Sequence, residues 1–223
     1  MTRIVPFRPA RGWLVLLGGS SGAWPPTEQI DRAAIARMNK DAPIAFVPAA
    51  GCPPDYGASF LETYTRLGAP DGYVVPVHDR PSAHDAENVD LLKRAGLIYF
   101  GGGDTTRLLA SMTGSPALAA VASAYEAGAV IVGMSAGAIA LAAYGVSLSV
   151  GVLQGWGWVP KALVSVHHTP QRDERLARAL RGHPEAVAIA LPEHAALALG
   201  PDGENEQWGE PGIVMTPGAT FEP

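Results

Sequence analysis

Gly133-Met-Ser135-Ala-Gly137-Ala138 is the segment best equipped for chemistry. A serine with glycine two residues away on each side can occupy a turn too tight for larger neighbours, which lifts its hydroxyl clear of the backbone. The alternative is a glycine-rich turn whose serine only caps the next helix. A nucleophilic serine needs a base, and the base needs an acid to orient it. Six histidines are available: His78, His84, His167, His168, His183 and His194. His167 and His168 follow the apolar run Ala162–Val166, and strand exits are where catalytic groups collect in open parallel sheets. His183 reads as a solvated turn residue, and His78 and His84 lie in a Pro-rich loop. Glu193 follows an apolar run ending at Leu191, so it too stands at a strand exit; a surface turn carboxylate is the plainer reading.

A second glycine-rich turn, Gly101-Gly-Gly103-Asp104-Thr105, could present backbone N–H groups to an anion. It lacks the Lys-Ser/Thr ending of a phosphate loop, so an oxyanion hole is the more economical use. The turn Gly18-Gly-Ser-Ser-Gly22 reads as structural.

These turns need elements to hold them. Apolar runs without polar alternation, Trp13–Leu17, Ile44–Val47, Tyr73–Val77, Leu97–Phe100 and Val130–Val132, predict strands buried on both faces. Helical windows lie between them at Thr27–Met38, Ser59–Leu67, Ala86–Arg94, Thr106–Met112 and Pro116–Ala127. That alternation predicts a parallel sheet with helices on both sides. Beyond Ser135 the pattern predicts a helical run over Ala138–Ala143, then strands at Val146–Leu153 and Ala162–Val166. A helix over Arg172–Leu180 and strands at Ala186–Leu191 and Ala195–Leu199 follow. A hairpin turn at Gly200–Gly203 and a closing strand over Gly212–Thr216 complete the expectation. No repeat or linker interrupts the 223 residues, so one domain over 1–223 is expected.

Composition narrows the function classes. The net charge is −5 with no run of Lys or Arg, which argues against nucleic acid and anionic membranes as partners. The one cysteine, Cys52, excludes an intramolecular disulfide and a cysteine-based zinc cluster. The five apolar residues Trp13–Leu17 are too few for a membrane span, and the basic segment before them reads as the approach to a first strand rather than a signal peptide. The cytoplasm is the expected address.

Taken in order, four motifs resemble the peptidase E / cyanophycinase family of serine peptidases. They are Leu14-Val-Leu-Leu-Gly-Gly19, Tyr99-Phe-Gly-Gly-Gly-Asp104-Thr105-Thr-Arg-Leu-Leu109, the elbow Gly133–Ala138, and Leu191-Pro-Glu-His-Ala-Ala-Leu197. The resemblance spans roughly residues 13 to 199. It implies a three-layer α/β sandwich around a mostly parallel twisted sheet, with class I glutamine amidotransferase-like (flavodoxin-like) topology.

It also implies roles. An ungapped match from Gly155 puts His167 on the family's catalytic histidine and leaves His168 as the alternative base. The glutamate of the last motif, Glu193, falls on the acid of the cyanophycinase branch. The aspartate that peptidase E uses some 15 residues past its serine is Val150 here. Ala136 with Gly102 or Gly103 would form the oxyanion hole. Asp104, Thr105 and Arg172 fall at positions that meet substrate. Thr105 replaces the family's glutamine, Ser165 replaces the aspartate before the histidine, and one arginine of a pair is missing. Degradation of the aspartyl–arginine polymer is therefore not carried over. The expectation is a Ser–His–Glu exopeptidase or dipeptidase acting on short peptides, without metal or organic cofactor. A homodimer is left open. Two rivals stand beside it: an esterase using Ser135, Asp173 and His194 in the α/β-hydrolase order, and a non-catalytic binder with the same fold. Cys52 lies too far upstream of the elbow for a glutamine amidotransferase.

Overall fold

A computed structural model describes residues 5–20, 27–147 and 150–222 of the chain. Met1–Ile4, Ser21 and Gly22 of the first glycine-rich turn, and Leu148-Ser149 inside the expected strand Val146–Leu153, lie outside the described residues.

Four of the apolar runs become the buried strands β1 (Leu14–Leu17), β2 (Ile44–Val47), β4 (Leu97–Phe100) and β5 (Val130–Met134), and β3 (Gly72–Val74) is the short edge. Every residue of β1, β2, β4 and β5 is buried. The helices between strands are α1 (Glu28–Arg37), α2 (Tyr56–Arg66), α3 (Ala86–Arg94), α4 (Thr105–Met112) and α5 (Pro116–Ala127). β1, β5, β4, β2 and β3 run parallel in that order, so the turns after β1, β4 and β5 all leave one edge. Side chains alternate between two cores: Leu14 and Leu16 face α3 and α5, while Val15 and Leu17 face α1 and α2. The fold is an α/β sandwich of the expected class.

A second, five-stranded sheet was not foreseen. The helix after the elbow, α6 (Ala136–Leu141), is only six residues long and passes directly into β6 (Ala142–Ser147). The run expected as one strand from Val146 to Leu153 is a hairpin, with β7 (Gly151–Gln154) antiparallel to β6. β8 (Val159–Ser165) lies parallel to β6 and to β9 (Val187–Ala190), and α7 (Asp173–Gly182) connects the last two. β10 (Ala195–Leu199) returns to the main sheet, antiparallel to β1, and is followed by β11 (Asn205–Gly209); β12 (Val214–Pro217) then closes the second sheet. β11 escapes a pattern reading because Asn205-Glu-Gln-Trp-Gly209 is polar. Its anchor is a side-chain stack: Trp208 lies on Trp13 with centroids 5.8 Å apart, and the Arg37 guanidinium sits 4.5 and 4.6 Å from the two rings. No single helix among the described residues is long and apolar enough to cross a membrane.

One buried charge site lies in the α1–α2 core. Asp31 accepts hydrogen bonds from the Tyr64 hydroxyl at 2.8 Å and the Thr27 hydroxyl at 3.0 Å. Burial pushes its pKa up to about 7; the two hydrogen bonds oppose that rise and Glu28 adds to it. A carboxyl whose folded pKa exceeds its unfolded value binds its proton more tightly when folded. Its stabilising contribution is full below about pH 4 and is lost as pH rises through 7. Asp31→Asn keeps one hydroxyl donating to its amide oxygen and lets its NH2 donate to the other hydroxyl, without the charge, so its stability should be flatter across this window. At pH 8 it should exceed the wild type by an amount on the order of a few kcal/mol. Urea unfolding of both proteins at pH 5 and pH 8 measures this, and parallel pH curves would refute it.

Candidate active site

The elbow geometry follows from its glycines. A Cβ on Gly133 would come 2.5 Å from the Gly137 carbonyl carbon, and one on Gly137 would come 2.9 Å from Phe100 Cβ. Both positions are thus closed to any side chain. Ser135 is held at φ 52°, ψ −104°, and its N–H donates to the Leu17 carbonyl at 2.9 Å. Among non-glycine residues described, positive φ occurs only at Ser135, His167 and His194, all at this edge. Backbone strain of this kind costs about 1–3 kcal/mol per residue and persists where the surroundings over-determine it.

Those surroundings are the seam between the two sheets. The His167 N–H donates to the Gly18 carbonyl and the His194 N–H to that of Gly19, each at 2.9 Å, while the His168 N–H donates to Leu191 at 3.0 Å. His167, just past β8, thereby projects across the first glycine turn onto Ser135, whose Oγ is 2.9 Å from His167 Nε2. The other ring nitrogen, Nδ1, is 2.7 Å from Glu193 Oε1. A carboxylate on Nδ1 selects the tautomer that is protonated there and leaves the Nε2 lone pair toward the serine hydroxyl. The His167 and Glu193 side chains are 32% and 30% exposed, so the edge is open to solvent.

The turn after β4 supplies the facing wall. A Cβ on Gly102 would lie 3.6 Å from Ser135 Cβ, so this backbone passes close to the serine. The Gly101 and Asp104 N–H groups donate to the carbonyls of Val47 and Ala50. Those of Gly102 and Gly103 have no acceptor among the described residues. Ala136 opens α6 directly after Ser135.

Other expected residues have different surroundings. Asp104 caps α4, its Oδ1 accepting from the Thr106 and Arg107 N–H groups at 2.7 and 3.1 Å. Thr105 opens that helix beside it. Arg172 donates to the Val166 carbonyl at 2.7 Å and so supports the turn bearing His167. His168 points away from Ser135: its Nδ1 lies 2.9 Å from Ser165 Oγ and its Nε2 lies 2.8 Å from Asp173 Oδ1. The rival set Ser135–Asp173–His194 is therefore not assembled, since Asp173 pairs with His168, and His194 Nε2 lies 3.9 Å from Glu193. Sequence reasoning missed Gly19. A Cβ there would come 2.3 Å from His167 Cε1, so its bare backbone is the floor under the imidazole. Its place after β1, next to β5, was the available signal.

The sequence pattern of peptidase family S51 matches residues 14–205. The chain belongs to peptidase family S51. It is accordingly a serine-type peptidase hydrolase. A cyanophycinase from Geminocystis herdmanii is 25% identical over 221 residues, covering 93% of this chain and 81% of that protein. A cyanophycinase from Synechococcus elongatus is 28% identical over 188 residues, covering 78% and 58%. Two solved structures share the S51 fold. A peptidase from an acI-B1 actinobacterium superposes with a TM-score of 0.71 at 21% identity, covering 92% of this chain and 97% of its own. A putative peptidase E protein from Listeria monocytogenes does so with a TM-score of 0.58 at 14% identity, covering 93% and 99%.

Proposed function

We propose that this S51 chain, acting as one peptidase domain, hydrolyses short peptides from an end through Ser135, His167 and Glu193. Ser135 Oγ attacks the scissile carbonyl while His167 Nε2 takes its proton. The tetrahedral oxyanion accepts hydrogen bonds from Ala136 N–H and from Gly102 or Gly103 N–H. His167 then returns the proton to the leaving amine, and water repeats the sequence to release the acyl group. Glu193 stabilises the imidazolium and keeps its tautomer. The observation that carries this reading is the unbroken chain of 2.9 and 2.7 Å contacts from Ser135 through His167 to Glu193. Thr105 and Arg172 border the same edge and are the side chains through which substrate preference would be expressed, with Asp104 holding the turn between them and the oxyanion donors.

A fluorophosphonate probe should label the wild type at Ser135, and a peptide-library digest should release terminal residues or dipeptides. Internal cleavage of long peptides, or no labelling, would overturn the proposal. The two adjacent histidines give a sharper comparison. His167→Ala should lower kcat by about 10⁴-fold or more. His168→Ala should keep kcat within about tenfold yet melt earlier, because it removes the tie between β8 and α7. Equal activity losses would refute the assignment of the base.

A further inference from the structure

Strand β9 alternates in side-chain size. Val187 and Ile189 enter the main core, whereas Ala188 and Ala190 face α7. Alanines beneath Leu176 and Leu180 leave space, and a cavity of about 610 Å³ opens between α7, β9 and β12. That volume is in the range of small-molecule sites, and apolar walls with a few convergent polar groups are their usual lining. The polar end is the imidazole of His168, 7% exposed and held between Ser165 and Asp173. Asp173 is the one carboxylate among the residues that line the cavity, and no lysine or arginine lines it. Its side chain is 71% exposed; the imidazole takes Oδ1, and Oδ2 has no partner among the described residues. An anionic ligand would meet this carboxylate without a neutralising cation, whereas an ammonium group would gain a charge-assisted hydrogen bond.

We propose that this cavity binds a small organic ammonium with an apolar body, the nitrogen on Asp173 and the body between Leu176, Leu180 and Ala190. Ser135 does not line it. Its wall residues His168 and Pro192 are chain neighbours of His167 and Glu193, so the ligand lies behind the seam that carries them. The site stands independently of the peptidase reading, because binding is measured without turnover.

Isothermal titration with phenethylamine at pH 7.5 should give a saturable isotherm, with 3-phenylpropionate at least about tenfold weaker. Asp173→Asn should weaken the amine about tenfold and leave neutral 2-phenylethanol unchanged. Ala177→Phe, at an exposed helix position on the cavity mouth, should abolish binding of all three. If that variant melts early, Thr216→Trp on the opposite wall serves the same purpose. Absence of amine binding, equal binding of the carboxylate, unchanged amine affinity in Asp173→Asn, or binding that survives a folded filling variant would each overturn the proposal.

Discussion

Ser135→Ala should lower kcat by about 10⁵-fold or more on any peptide the wild type cleaves, and should lose fluorophosphonate labelling altogether. Without Oγ nothing accepts the acyl group, and the His167 base has no proton to remove. The fold should hold, because the hydroxyl's partner is the half-exposed His167 ring rather than a core group. Thermal melting should therefore shift by an amount corresponding to less than about 1 kcal/mol. Ser135→Gly separates chemistry from strain. It is equally inactive, but glycine adopts φ 52° without a Cβ penalty. It should melt above Ser135→Ala, because relief of about 1–3 kcal/mol of backbone strain outweighs the roughly 0.5–1 kcal/mol of extra unfolded-state entropy. Turnover in either variant at more than a trace of the wild-type rate would eliminate Ser135 as nucleophile.

Glu193→Gln should reduce kcat by about 10³- to 10⁴-fold with little change in KM. The amide keeps the size of the side chain but removes the charge that stabilises the His167 imidazolium. It can also donate an N–H to Nδ1, which would favour the tautomer protonated at Nε2 and leave no lone pair for the serine. The 2.7 Å contact to Oε1 makes both effects direct. Binding of substrate ground states does not depend on that proton, so KM is the control. A wild-type kcat in Glu193→Gln would reduce the machinery to a serine–histidine pair with another orienter.

Much of this arrangement is legible in order along the chain. Four buried strands appear as unbroken apolar runs because a parallel strand covered on both faces has no polar side to show. The elbow is legible because its glycines stand at fixed spacing about the serine, Gly133 answering a clash within the turn at 2.5 Å and Gly137 one with Phe100 on the neighbouring β4 at 2.9 Å. The acid and base at strand exits are legible as candidates for the same reason: strand ends are marked by where the apolar run stops. Polar β11 and the division of Val146–Leu153 into two strands were hidden. The first is held through its own Trp208 by Trp13 and Arg37 from a distant part of the chain, and the second by a pairing register that composition does not encode.

By itself, then, the sequence determined the strand–helix order, the turns that must be glycine and a shortlist of groups able to do acyl-transfer chemistry. The family resemblance put His167 rather than His168 on the base, but only the tertiary structure supplies the physical reason that this one of two neighbouring histidines meets the serine. His167 and His168 have the same side chain and the same place after β8, so no local preference separates them. The difference comes from the second sheet's seam against the first: Gly18 and Leu191 accept the two backbone N–H groups, His167 is forced to φ 45° over bare Gly19, and His168 is turned toward Asp173. The His167–Gly18 hydrogen bond joins segments more than a hundred residues apart, and a contact at such separation exists only once both sheets have formed.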